Sequence, residues 1–246
     1  MQRFVFGFFF LLSAATSPLF ADKVGLMIMA TGKYTQFVPP LIESARKHLC
    51  ANHTVTYFVF TDGEIPHADD IVPLFQKRLG WPFDTMMRYH VYAKNAAVLQ
   101  NQDYLFSCDA DMLFVDTVGD EILGERVATL HPGFVGQRGS YYRNPHSLAY
   151  VSDKEGQYYF AGGFQGGSAK EVLLIAQTLS ERIDDDLSRD VIAEWHDESH
   201  WNRYCIDHPP TIILSPSYCY PENWKLNYQK KLLALDKNHD EIRKLD

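Results

Sequence analysis

Two aspartates, Asp109 and Asp111, interrupt an otherwise apolar run, LFSCDADMLFVD, at residues 105–116. Removing two like charges from water is costly unless something neutralises them. In a strand, residues two apart share a face, so both carboxylates would point together while Ala110 faces away. Paired carboxylates plus a ligand's phosphate oxygens make a hard-oxygen set suited to Mn²⁺ or Mg²⁺. Such an ion would bridge a nucleotide diphosphate and stabilise it as a leaving group. The bland alternative is a polar turn that closes a short strand.

Other chemistries find less support. No GxGxxG or GxxxxGK[ST] loop is present, which weakens dinucleotide and ATPase readings. Cys50, Cys108, Cys205 and Cys219 show neither CxxC pairing nor metal-ligand spacing with histidine, so zinc is not expected; their even number permits disulfides without requiring them. The ten histidines are scattered, without the His and Asp clusters of a two-metal phosphoesterase. A formal net charge of -8 argues against a nucleic-acid surface, which needs a basic face.

The elements that must position the aspartates read as alternating strand and helix. VGLMIMA (24–30) and TVTYFVFTD (54–62) have the composition of buried strands, with PPLIESARKHL forming a helix between them. FDTMMRYHVYAKNAAVL (83–99) is expected to be one helix with Met86, Met87, His90, Val91 and Ala97 on its buried side. The strand carrying the aspartates follows, then a short helix at VGDEILG and a strand at RVATLHP. Residues 133–151, rich in Gly, Tyr, Arg and Ser, read as a long loop. SAKEVLLIAQTLSERIDDDL is an amphipathic helix, RDVIAEW and DESHWNRYCI continue as helix, TIILS is a strand, and KNHDEIRKLD is a polar ending. The result is an α/β class domain, one sheet flanked by helices, with ligands expected outside the carboxyl ends of its strands.

Ahead of this domain, Arg3, an apolar run from Phe4 to Leu12 and small residues ending at Ala21 have the layout of an export signal. Cleavage near Ala21 is favoured over an uncleaved anchor, which would be the chain's one membrane contact. Residues 1–21 are therefore set apart from a single domain at 22–246, and the chain is expected to be exported.

The motifs CDADMLF, VGDEILG, TLHPGFVG, YYFAGGFQGGS, EWHDESHWNRY and LSPSY, in this order and spacing, resemble glycosyltransferase family 6, which includes the histo-blood group A and B transferases and the α-1,3-galactosyltransferases. The resemblance runs from about Lys23 to the C-terminus. It implies a GT-A fold and transfer of N-acetylgalactosamine (GalNAc) or galactose from a UDP-sugar, with retention, to the 3-hydroxyl of a terminal β-galactoside. Asp109 and Asp111 match the metal-binding DxD, which implies Mn²⁺ dependence, and Ala110 lies between them at the donor. Tyr34 matches the aromatic that stacks on uracil, Met29 and Thr31 match uridine contacts, and Arg88 matches an arginine near the donor. Glu198 matches the catalytic glutamate. Asp197 beside it is placed on the donor side and read as the cap of a helix whose dipole keeps Glu198 ionised. Trp195, His131 and Ser140 match acceptor contacts, while His196 matches a residue at the donor.

Ala161-Gly162-Gly163 matches the triplet that sets donor choice, where glycine at the third place accompanies GalNAc; a galactosyl donor is the alternative. On the acceptor side, Cys219-Tyr220-Pro221 follows LSPSY where the A and B enzymes carry Leu-Trp-Asp, so an acid is missing and the need for a fucosylated acceptor stays open. A secreted carbohydrate-binding protein without catalysis is the rival of a different class.

Overall fold

A computed structural model describes residues 21–243. The export-signal expectation on the N-terminal segment lies outside the described residues. Among those described, no helix is long and apolar enough to cross a membrane.

Strands β1 (Lys23–Met29) and β2 (Thr54–Thr61) pair in parallel with α1 (Val38–His48) crossing between them, the expected βαβ opening. The period-2 alternation of β1 builds two cores. Val24, Leu26 and Ile28 pack with Val38, Leu41 and Ile42 on one face, while Met27 joins Phe58 and Phe60 on the other. β3 (Ile71–Phe75) pairs with β2 at the sheet edge.

The single helix expected at 83–99 is three: α2 (Phe83–Met86), α3 (Arg88–Lys94) and α4 (Ala96–Leu99). Met87 and Asn95 form the joints, with ψ of 10° and 14° outside the helical well. At the second joint the Asn95 side chain donates to the Val91 carbonyl at 2.8 Å, competing with the helix ladder. Met86 and Val91 are buried as expected, but Ala97, past the second joint, is exposed.

β4 (Tyr104–Asp109) is central, and β5 (Met112–Phe114) leaves it through a turn at Ala110-Asp111. Asp109 ends the strand and Asp111 lies in the turn that follows it. Next come β6 (Arg126–Leu130), β7 (Phe160–Ser168), α5 (Ala169–Ser188) and α6 (His196–Asp207), followed by β8 (Ile212–Leu214), β9 (Tyr220–Pro221), β10 (Leu232–Ala234) and α7 (His239–Arg243). The expected α/β architecture is present as a seven-stranded sheet of order β3-β2-β1-β4-β7-β6-β8, with only β7 antiparallel to its neighbours. A second sheet, β5-β10-β9, ties the aspartate turn to the C-terminal segment.

RDVIAEW is not helical. α5 ends in a Schellman arrangement, in which Asp190 has φ of 55°, its N–H donates to the Leu187 carbonyl, and the Val191 N–H donates to the Asp186 carbonyl. The polar ending is not a free tail either, because α7 folds back beside Trp81, with the Arg243 guanidinium 3.5 Å from the Trp81 ring centroid.

Candidate active site

The site forms where the sheet's geometry breaks. β6 and β7 pair Ala128 with Gln165 but Thr129 with Ala161, so residues 162–164 bulge out of register. Gly162 and Gly163 therefore belong to a bulged strand, not a tight turn. On the other side, Met29 at the end of β1 is in register with Asp109 at the end of β4. The bulge and these two strand ends face a common region.

Arg88 is the hub. It is buried at 5% exposure, and its guanidinium lies 2.8 Å from Asp109 Oδ1 and 2.8 Å from Asp197 Oδ2. It also donates to Thr85 Oγ1 at 2.9 Å, the Gly162 carbonyl at 3.2 Å and Ser107 Oγ at 3.3 Å. Burial opposes its charge, but Asp197 and Asp109 outweigh this and hold it firmly protonated. Asp197, fully enclosed, is pushed up to about 6 by burial, with Arg88 pulling the other way. The helix cap expected at Asp197 is not there: Trp195 occupies the cap position, and Asp197 is spent on Arg88.

Glu198 Oε2 accepts the Gly162 N–H at 2.7 Å, which fixes the carboxyl against the bulge. Burial lifts its pKa to about 7; the Gly162 N–H and the Tyr159 hydroxyl oppose the rise, and the charges of Asp197 and Asp109 add to it. The firmly ionised Glu198 expected from the helix dipole is thus corrected, since burial in the first turn of α6 raises its pKa.

Two adjoining cavities share Asp109 and Asp111. The first is lined by Met29, Thr31, Tyr34, Arg88 and Ala110 among the expected donor residues. The second is lined by His131, Ala161, Gly163 and Glu198. His131 Nδ1 accepts the Gly133 N–H at 3.1 Å, so the neutral ring carries its proton on Nε2; burial depresses its pKa to about 4. His196 has φ of 52°, a conformation uncommon outside glycine, and its ring meets the edge of Trp81 at 5.0 Å. Trp195 and Ser140 are brought to each other, indole Nε1 to Oγ at 2.9 Å, but belong to neither lining.

Several lining residues escaped the sequence reading. Trp81, Thr85, Lys237 and Arg243 enclose the first cavity, and Met112, Cys219 and Trp224 enclose the second. Thr85 lies three residues before Arg88, a helix-neighbour spacing that could have flagged it. Lys237 pairs with Asp111 Oδ2, and its ammonium sits 5.7 Å from the Tyr34 ring centroid. All four cysteines are buried and free.

The donor set suits a hard cation. Arg88 takes Oδ1 of Asp109 and Lys237 takes Oδ2 of Asp111, which leaves one oxygen of each carboxylate for a further ion. Among the described residues no group of three or more His, Cys, Asp or Glu side chains could hold a metal ion, so the two carboxylates would need other oxygens, such as those of a ligand, to complete the set.

The sequence model of glycosyltransferase family 6 matches residues 18–244. The chain belongs to glycosyltransferase family 6. It is 36% identical over 238 residues to histo-blood group ABO system transferase 1 of Rattus norvegicus, covering 89% of this chain and 68% of that protein. It is 32% identical over 254 residues to globoside alpha-1,3-N-acetylgalactosaminyltransferase 1 of Gallus gallus, covering 95% and 72%. Its similarity to the O-antigen biosynthesis glycosyltransferase WbnI of Escherichia coli is 24% over 225 residues, covering 88% and 96%. The seven-stranded mixed sheet of this family 6 transferase agrees with a GT-A fold.

Proposed function

We propose that this family 6 transferase moves GalNAc from UDP-GalNAc to the 3-hydroxyl of a terminal β-galactoside with retention of configuration, UDP-galactose being the competing donor. The observation that carries the reading is the shared wall of the two cavities. Asp109 and Asp111 border both, and Glu198 lines the second, held against the Gly162–Gly163 bulge. A nucleotide in the first cavity would thus place its diphosphate at the aspartates and its sugar beside Glu198. The relatives named for ABO and globoside α-1,3 transfer support the reaction class.

In this reading Asp109 and Asp111 would hold Mn²⁺ or Mg²⁺, which would supply charge neutralisation for a departing UDP. Tyr34, Met29 and Thr31 seat the uridine, and Arg88 keeps Asp109 and Asp197 in place. Glu198, as a carboxylate, supports positive charge at the anomeric carbon, either as a nucleophile or as the stabiliser of a same-face substitution. His131 Nε2–H offers a donor to an acceptor hydroxyl. The bond from C1 to UDP breaks, a bond from C1 to the acceptor's O3 forms, and the hydroxyl proton leaves with UDP. We also read residues 1–21 as an export segment that delivers the domain into or across a membrane system.

The test incubates the protein with Mn²⁺, either UDP-sugar, and lactose or 2′-fucosyllactose, with the product linkage read by NMR and parallel reactions in EDTA. An α-1,3-linked product that disappears with EDTA supports the reading. Activity that survives thorough metal removal sinks the role given to the aspartates. Carbohydrate binding without any transfer would turn the protein into the binding module named as the rival.

A further inference from the structure

We infer that Trp224 is the acceptor-recognising wall of this enzyme, an indole platform for the pyranose face of the β-galactoside. The inference deepens the proposed function and rests on it for the identity of the acceptor.

Trp224 lines the same cavity as Glu198 and His131, whereas Tyr34 and Arg88 line the adjoining donor pocket. It is a large aromatic left 48% exposed. Its Cη2 lies 3.8 Å from where a Cβ on Gly133 would sit, so the ring reaches the segment that begins at His131, itself a lining residue of that cavity. A sugar ring has an apolar C–H face that an aromatic plane can cover, and tryptophan presents that plane at little entropic cost.

The turn that carries the indole is also held in place. The Trp224 N–H closes a turn onto the Pro221 carbonyl at 3.1 Å, and the Glu222 N–H donates to the Ala234 carbonyl at 2.9 Å. Asn223 Nδ2 donates to Asp236 Oδ2 at 2.6 Å, and the Asp236 N–H returns a bond to Glu222 Oε2 at 3.0 Å. These four bonds close the turn and tie it to the end of β10 and to Asp236 beyond it, and none of them uses the Trp224 side chain. Pro221, which follows Tyr220 where an acid was missing from the sequence, offers no side-chain polar group. Contact area from Trp224 replaces polar recognition there. Asn223 is then a positioning residue that acts through Trp224.

The experiment compares wild type, Trp224→Ala, Trp224→Phe and Asn223→Ala in the full chain. Initial rates with lactose give acceptor and donor KM separately from kcat, and donor hydrolysis without acceptor gives an acceptor-independent control. Trp224→Ala should raise acceptor KM roughly tenfold while donor KM and donor hydrolysis stay within about twofold, and Trp224→Phe should recover most of the loss. Asn223→Ala should raise acceptor KM by a smaller factor, with donor KM unmoved. Saturation-transfer NMR of lactose on the UDP-loaded protein reads the same contact without turnover, and its signal should fall in Trp224→Ala. An unchanged acceptor KM and unchanged lactose signal overturn the inference, as does a parallel rise in donor KM. Wild type that hydrolyses UDP-GalNAc yet transfers to no β-galactoside defeats the proposed function instead, and the NMR comparison still decides Trp224.

Discussion

Gly162 and Glu198 meet through one backbone bond, N–H to Oε2 at 2.7 Å, while the carbonyl of the same glycine accepts Arg88 at 3.2 Å. A single glycine in the β7 bulge therefore links Glu198 to the charge hub. Because residues 162–164 are out of register with β6, the backbone groups of Gly162 are free to bond with side chains instead of a neighbouring strand. The carboxyl of Glu198 has a fixed direction but an unfavourable, desolvated setting, and its protonation follows from that.

Glu198 titrates at about 7 against an ordinary 4.5. If its carboxylate supports the anomeric carbon, kcat/KM for the donor is low below this pH and rises to a plateau above it. Stability runs the other way. A carboxyl whose pKa is raised on folding binds its proton more tightly in the native state, so its contribution falls as pH rises from about 4.5 through 7. Glu198→Gln should lose transfer by at least about a hundredfold, match wild-type Tm near pH 4.5, and exceed it at pH 8. A rate profile flat from pH 5.5 to 8, or a Tm difference that does not grow with pH, counts against this account.

Arg88 is buried and pairs with the buried Asp197 and with Asp109, whose side chain is 39% exposed at the cavity wall. Arg88→Met leaves the buried Asp197 carboxylate unpaired, a change that typically costs about 3–5 kcal/mol. For a domain of this size that is a Tm drop on the order of 10 °C. The double change Arg88→Met with Asp197→Leu should regain much of the stability, because the orphaned charge is gone, yet not the activity. Thermal denaturation of the two variants checks this, and equal Tm values would refute it.

How far the sequence led is clearest at these same residues. The period-2 runs of β1 and β2 and the apolar face of α1 made the βαβ opening legible, because local pattern and burial agree there. The resemblance put Arg88 near the donor; only the fold, by bringing Asp109 and Asp197 from distant segments, shows it buried. The donor-choice triplet was found by resemblance, but its bulge depends on strand pairing that local pattern does not encode. Likewise, a helix seemed natural through RDVIAEW, and the left-handed Asp190 that ends α5 leaves little trace in composition. The last polar residues gave no hint that Lys237 would reach Asp111.

If Asp111 holds a divalent ion as proposed, Lys237 competes with that ion for it. The ammonium already neutralises that carboxylate, so metal must share it or displace it. Lys237→Ala should therefore bind Mn²⁺ more tightly in the absence of nucleotide, by roughly tenfold for a partly buried pair worth about 1–2 kcal/mol. Free-Mn²⁺ titration followed by electron paramagnetic resonance reads this without turnover. Unchanged or weaker binding would show that the lysine is not the competitor.

Gly163 sets the room beside the aspartates, though not as empty space. A Cβ at this position would meet Cys219 Sγ at 3.2 Å, Met112 Sδ at 3.3 Å and Asp109 Oδ2 at 3.5 Å. Two of these neighbours are sulfur atoms on side chains, which yield by a few tenths of an ångström, so Gly163→Ala should fold. The displaced sulfurs must then take volume from the cavity they line, where the donor's acetamido group is to sit. The ratio of kcat/KM for UDP-GalNAc over UDP-galactose should fall by about tenfold or more, the scale expected of one methyl group in a binding pocket. Cys219→Ala in the same background removes one of the two sulfurs and should restore part of the ratio. A ratio indifferent to Gly163→Ala would mean that the acetamido group lies elsewhere, and the choice of sugar would then have to be sought away from the bulge.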